Sequence, residues 1–380
     1  MLITAAILAI FVYGMIAAML GTILPDLSAR FKLTPAQNGT IALAQAIGLI
    51  IASVSVGPLI DYEGKKIGLL LGLALISISL FLLPNAKGYG AIIGSLFLLG
   101  IGGGIIVTGA NALASDVNPT NPSPTLNLLN LFFGLGGLAT PFIAANLLGR
   151  NSFRLCYTVA ILSTLTLVLH VATPMPPPLH HAELWTGAGQ VVSSPVLWLL
   201  AAFLFLYVSC EVGVWNWLVR HLVAQGVPES AALNVLSLGF ALGLLVGRVV
   251  AYYVLQSISA LNVTLAAAVL MVLFTFGMLQ ARSAVVAAVL VFCAGFAMAP
   301  VFPTTLGIAK LYFPDLTATA QGIAITCGWI GLAVSSRMIG SIAGDDPKRL
   351  KKALMLIPAM AAVMIVINLA LHTMPAAGAR

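Results

Sequence analysis

Charge is what this chain has least of. Of 380 residues, 17 are Lys or Arg and 10 are Asp or Glu, 7% in all, against 61% apolar. Mean hydropathy is +1.10. An ordinary soluble domain is about 25% charged, so a solvated globular fold is excluded. Cysteine is scarce as well. Cys156, Cys210, Cys293 and Cys327 all fall inside apolar runs with no CxxC spacing, which makes them small core residues rather than a disulfide or metal set. Period-2 alternation is missing, and with it the ~10-residue segments of a membrane β-barrel. The runs are continuous instead, as from Ile67 to Leu83. Walker, HExxH and nucleophile-elbow motifs are absent too, so an ATP-driven pump or a membrane hydrolase lacks its residues and the chain does not read as an enzyme. The first apolar run has neither a basic n-region nor a small-residue cleavage site, and reads as a retained helix.

What is present is a series of apolar runs, each of about 20 residues and long enough to cross ~30 Å of hydrocarbon as a helix. Twelve spans are predicted. The first half gives 4–25, 37–59, 66–84, 89–115, 123–148 and 153–173; the second gives 195–219, 231–256, 261–280, 284–311, 317–342 and 351–372. Loops are short except Pro174 to Ser194, which holds Pro174, Pro176, Pro177, Pro178, His180, His181 and Glu183 and reads as a solvated linker. Adjacent histidines without further ligands make a poor metal site, and none is expected. The domain reading is therefore 1–173, a linker 174–194, and 195–380.

An internal repeat supports that division. Gly48 and Gly243, Gly100 and Gly295, Ala114 and Ala309, Pro119 and Pro314, and Gly136 and Gly331 all stand 195 positions apart. Two parallel six-helix halves suit a secondary transporter. The basic surplus is assigned to loops and lipid headgroups, not to nucleic acid.

Five ionisable side chains crowd into Gly57-Pro-Leu-Ile-Asp-Tyr-Glu-Gly-Lys-Lys66, between spans two and three. Gly57 allows close helix approach, Asp61 is suited to a basic partner or a helix end, and Lys65 and Lys66 suit headgroups. The pattern Gly57-x-Leu59-x-Asp61-x-x-Gly64-Lys65-Lys66 resembles the signature loop of the major facilitator superfamily. The resemblance implies an all-α membrane protein of twelve transmembrane helices in two pseudo-symmetric six-helix bundles. It also implies that Gly57, Asp61, Gly64, Lys65 and Lys66 latch the halves, that the protein is a monomer, and that both termini are cytoplasmic. Tyr62 departs from the basic residue common there, and the matching place around Tyr252 to Asn262 has lost its charges. Counting basic residues alone gives the reverse orientation. Arg30, Lys32, Lys87, Arg150, Arg154, Arg220, Arg282, Lys348, Arg349, Lys351 and Lys352 fall on the face opposite Lys65 and Lys66.

A narrower resemblance runs through Tyr207-Val-Ser-Cys-Glu211-Val-Gly-Val-Trp215-Asn-Trp217, Gly247-Arg248, Ala110-Asn111, Leu126-Asn127, Phe133-Gly134-x-Gly136 and Ala299-Pro-Val-Phe-Pro303. It is to the fucose/glucose/galactose permease branch and its sodium-dependent glucose transporter relatives.

Charges within spans are costly and hence functional candidates. Glu211 lies mid-span, with Tyr207 and Trp215 four residues either side on one helix face, and Arg248 lies inside span eight. One reading is a cavity wall that stacks a sugar-like solute and binds a cation; the other is a Glu–Arg pair joining two helices. Asp26, after Pro25, is either a proton-accessible carboxylate or a loop cap. Asn111, Asn127, Asn130 and Asn216 should face the bundle interior, bonding either substrate hydroxyls or neighbouring helices. Trp217 and Trp329 are further candidate walls. The expected function is secondary active transport of a small polar solute, a sugar first, across a bacterial inner membrane. No cofactor is expected beyond a proton or sodium as coupling ion. The alternatives are an exporter of drugs or lipids and a non-transporting membrane sensor.

Overall fold

The structure, a computed structural model, describes residues 1–149, 151–175, 177, 184–281, 284–344 and 346–375. Twelve helices among them are long and apolar enough to cross a membrane. In chain order these are α1 Leu2–Phe31, α2 Pro35–Glu63, α3 Lys65–Asn85, α4 Tyr89–Val117, α5 Pro122–Asn146 and α6 Ser152–Ala172. They continue with α7 Pro195–Ala224, α8 Glu229–Val254, α9 Ala260–Gln280, α10 Val285–Tyr312, α11 Thr317–Ala343 and α12 Arg349–His372. All twelve expected spans are present. The chain is an integral, multi-pass helical membrane protein.

Helix ends follow local chemistry. Thr34 opens α2 with a capping box: its hydroxyl accepts the Gln37 N–H at 3.3 Å, and the Gln37 side chain accepts the Thr34 N–H at 2.9 Å. Asn151 caps α6 by accepting the Phe153 and Arg154 N–H groups, and Ser259 caps α9 by accepting the Asn262 N–H. Pro25 does not end α1, which continues for another turn and a half to Phe31. Asp26 is therefore a helical residue on an exposed surface, and the loop-cap reading of it does not hold. The stretch Val235–Ala241 of α8 is π-helical. The four cysteines are free, two of them buried and two half-buried. Of the linker, Leu184–Val192 forms a short helix. Pro176, Pro178, His180, His181 and Glu183 lie outside the described residues, as do Arg150 and Arg282.

The chain forms two compact units. The first comprises Met1–Pro119, Leu129–Val191 and Asp315–Ile323; the second comprises Thr120–Leu128, Val192–Pro314 and Ala324–Arg380. Each unit contains the same glycine contact. In the first, Gly48 of α2 faces the Phe97 carbonyl and the Ile101 N–H of α4, while Gly100 of α4 faces the Gln45 carbonyl and Leu49 N–H of α2. In the second, Gly243 of α8 faces the Phe292 carbonyl and Phe296 N–H of α10, while Gly295 faces the Phe240 carbonyl and Leu244 N–H. Every one of these contacts has its counterpart 195 positions on. A methyl group at any of the four glycines would meet backbone, which no rotamer change relieves. The repeat read from the sequence is thus a repeat of helix–helix contact.

Candidate functional site

The α2–α3 turn carries a connected set of bonds within the first unit. Gly64 closes α2 with φ 99°, a left-handed conformation that glycine alone adopts freely. That turn throws Lys65 and Lys66 in different directions. Lys65 Nζ lies 2.6 Å from the Asp116 carboxylate at the end of α4. Lys66 Nζ donates to the carbonyls of Val171 at 2.8 Å and Thr173 at 3.1 Å. A cation on those carbonyls satisfies the open C-terminal turn of α6 and its dipole.

Asp61 works on the opposite kind of helix end. Its Oδ1 accepts the Ala318 N–H at 3.0 Å. Its Oδ2 accepts the Thr319 N–H at 2.8 Å and the Thr319 hydroxyl at 2.7 Å. Those N–H groups belong to the first turn of α11, where no intrahelical acceptor exists, so a buried carboxylate caps the helix from outside. Gly57 makes the approach possible: a Cβ there would stand 2.6 Å from Thr319 Cα and 2.7 Å from the Ala318 carbonyl oxygen. The Gln321 amide donates to Ser115 Oγ of α4 at 2.9 Å, one turn further along the same segment. Sequence reasoning singled out Gly57, Asp61, Gly64, Lys65 and Lys66 and left open whether Asp61 meets a base or a helix end. It missed Thr319, Ala318 and Asp116. The only signals were an acid at the end of span four and a Thr-Ala-Thr at the start of span eleven.

The polar residues inside the spans divide by unit. In the first, Asn130 of α5 donates to Asn111 Oδ1 of α4 at 3.0 Å, and the Asn111 amide donates to the Val107 carbonyl at 2.7 Å. Both are buried and both bond protein. Asp26 lines a cavity of about 320 Å³ with Thr22, Pro141 and Ser152. In the second, Asn127 of α5 donates to the Ser123 carbonyl at 2.9 Å and to Thr304 Oγ1 of α10 at 3.0 Å. Its own Oδ1 is buried without a hydrogen-bond partner among the described residues.

The remaining candidates are all in the second unit. Tyr207 is fully buried on α7, Glu211 is half-buried one turn on, and Trp215 is 37% exposed one turn beyond. Arg248 of α8 is 6% exposed, and the buried Tyr207 hydroxyl has no hydrogen-bond partner among the described residues. Trp215 stands edge-on to Phe240 of the π-helical stretch, with ring centroids 5.3 Å apart at 81°. Asn216 and Trp217 sit on other faces of α7. Asn216 donates to Ser336 Oγ of α11 at 2.9 Å, and the Trp217 ring packs on Gly340 with the Arg220 guanidinium 5.6 Å from its centroid. The indole N–H groups of Trp217 and Trp329 are buried and without a hydrogen-bond partner among the described residues. The structure therefore aligns Tyr207, Glu211 and Trp215 turn by turn along α7, and directs Asn216 and Trp217 to α11. Among the described residues, no cluster of three His, Cys, Asp or Glu side chains suited to a metal ion occurs.

Twelve spanning helices, two units with a repeated helix contact, and charged side chains inside the spans define a membrane transporter of the twelve-helix class. The model of the Major Facilitator Superfamily matches residues 6–336, and the chain belongs to that family. Its fold is close to the crystal structure of a Major Facilitator Superfamily transporter, FucP, in the outward conformation. The TM-score is 0.86 at 19% identity, over 98% of this chain and 99% of that one. Among curated proteins, it is 22% identical to "Bypass of stop codon protein 6" of Saccharomyces cerevisiae, over 89% of this chain and 76% of that protein. It is 27% identical to a glucose/galactose transporter of Brucella abortus, over 64% of each.

Proposed function

We propose that this transporter moves a small polar solute, a sugar first, by alternating access, and that a proton or sodium gradient drives it. The observation that carries the reading is the half-buried carboxylate of Glu211, one turn along α7 from a buried Tyr207 hydroxyl that has no hydrogen-bond partner among the described residues, with the buried Arg248 in the following span of the same unit. A lipid-soluble cargo needs no such group. A charge at the middle of a span costs about 2.5–3.5 kcal/mol on insertion scales, a cost that a coupling ion or a polar solute offsets. Tyr207 and Trp215 would stack on the apolar faces of a sugar ring, and the Trp329 N–H, without a partner among the described residues, would donate to a hydroxyl. Glu211 would take the coupling ion, with Arg248 setting its affinity, and Asp26 is a second carboxylate open to solvent. The resemblance to a glucose/galactose transporter supports the same solute class.

The Asp61 contact with the first turn of α11 would serve as the latch, made in one state of the cycle and broken in another. Asn111 and Asn130, already bonded to each other, would hold α4 to α5 and meet solute only if that bond opens. The protein would act as a monomer in a bacterial inner membrane with both termini in the cytoplasm.

The test is uptake of labelled hexoses into proteoliposomes under proton and sodium gradients imposed separately. Accumulation that follows one gradient supports the reading and names the ion. No uptake of any hexose by folded, reconstituted protein sinks the sugar assignment, and amphipathic cations and lipids are then the cargo to screen.

A further inference from the structure

We propose that an open cavity at one end of the second unit binds a phosphate group carried by an anionic membrane lipid. The cavity is about 410 Å³, within the roughly 300–1,000 Å³ typical of small-molecule sites. It forms where α7 and α9 end and α12 begins, and its polar lining is His221, Gln225, Gln280, Lys351 and Lys352. Helix ends of this kind lie at headgroup depth in a bilayer.

The lining is cationic and has no carboxylate among the described residues. Lys351 Nζ donates to Gln280 Oε1 at 2.9 Å, which fixes the ammonium and leaves it two further N–H groups. Lys352 brings a second ammonium beside it. His221 is 2% exposed, and its Nε2 lies 3.0 Å from the Gln225 amide nitrogen. Asp346, five residues before Lys351, lies 3.8 Å from Arg349 and does not line the cavity. Two ammonium groups in one partly desolvated recess repel each other unless an anion sits among them, while burial beside Lys351 keeps the His221 imidazole neutral. A phosphate diester supplies that charge and accepts hydrogen bonds from both lysines. Ala224 and Met355 complete the wall and suit the glycerol and first methylenes of a lipid, which a free anion does not have.

The experiment uses the purified full-length protein in a neutral detergent, with phosphatidylglycerol, phosphatidylcholine and inorganic phosphate as probes. Thermal melting and native mass spectrometry are the readouts. Phosphatidylglycerol should raise the melting temperature and remain bound, and phosphatidylcholine should do neither. Its apparent affinity should fall about tenfold or more in the Lys351→Gln, Lys352→Gln double variant, the loss expected for charge-assisted hydrogen bonds. Lys352→Gln alone removes an exposed charge and keeps the Lys351–Gln280 bond, so it reports even if the double variant folds poorly. Equal stabilisation by inorganic phosphate, lost in the same variants, would overturn the lipid as occupant in favour of a free anion. Lipid binding unchanged in both variants, or absent from the native protein, would overturn the site. No transport readout enters, so the result is independent of what the transporter carries.

Discussion

Asp61 accepts three hydrogen bonds from Ala318 and Thr319, residues more than 250 positions away in the chain. Two come from backbone N–H groups and one from a hydroxyl, all to a single carboxylate. Bonds to a charged group contribute about 1.5–3 kcal/mol each, and leaving their buried donors unpaired costs a comparable amount. Asp61→Asn keeps the shape, loses the charge and presents an NH₂ toward a donor. It should destabilise the purified protein by roughly 2–4 kcal/mol in thermal or denaturant unfolding. Thr319→Ala removes one bond of the three and should cost about 1 kcal/mol. An Asp61→Asn protein that melts with the native one would show that the contact carries little energy.

The repeated glycine contact predicts a repeated mutational response. Gly48→Ala and Gly243→Ala each drive a methyl group against a carbonyl of the neighbouring helix, that of Phe97 in one unit and Phe292 in the other. Overpacking of this kind costs typically 1–3 kcal/mol because helices, not rotamers, must move. The two variants should lower the melting temperature by similar amounts. Gly94→Ala, where a Cβ meets nothing within 4 Å, is the control and should be neutral or slightly stabilising. A large loss at Gly94, or a loss at Gly48 with none at Gly243, would contradict the equivalence.

Asn111 and Asn130 invite a test that separates packing from solute binding. Their mutual hydrogen bond spans α4 and α5 at 3.0 Å. Such interhelical bonds average ~0.6 kcal/mol in membrane proteins. Asn130→Ala should therefore cost under about 1.5 kcal/mol of stability and leave the affinity for solute near native, measured by equilibrium binding. A drop of tenfold or more in affinity with stability intact would instead place Asn130 against the solute.

Much of this was legible in the sequence because the physics is local. A run such as Ile67 to Leu83 must be a spanning helix whatever surrounds it, since backbone groups in hydrocarbon have no other partners. The glycines at constant offset were legible for a related reason: only glycine lets backbone meet backbone, so each helix crossing leaves a mark at a fixed place. Asp61 was visible as a charge with a task, because an acid at the edge of an apolar run must be satisfied. Its partner was not. Thr319 and Ala318 contribute backbone N–H groups, which every residue has, so nothing in their side chains advertises the contact. The same limit applied to the asparagines. An amide inside a span must bond something, but whether that is Asn111 or a solute depends on which neighbour the fold supplies. Asn216 and Trp217 belong to the same resembling run as Glu211 and were read as an interior amide and a candidate wall, yet the 100° step per residue turns them onto α11.

Glu211 gives the prediction that bears most directly on mechanism. Its carboxylate is half-buried between Tyr207 and Trp215, and it is the acidic side chain nearest the middle of α7. Glu211→Gln keeps the volume and hydrogen-bonding reach and removes the ability to bind a cation or release a proton. A tenfold ion gradient stores about 1.4 kcal/mol per ion, so one ion per solute supports up to about tenfold accumulation. With the carboxylate gone, that accumulation should fall to none, because the ion no longer has a site whose occupancy differs between states. Exchange of labelled for unlabelled solute at equal concentrations requires no gradient and should persist in the same vesicles. Loss of both activities in a protein that melts normally would mean that Glu211 binds the solute rather than the ion. Retention of gradient-driven accumulation would transfer the coupling role to another carboxylate, and Asp26, exposed beside the cavity between α1 and α5, is the next to replace.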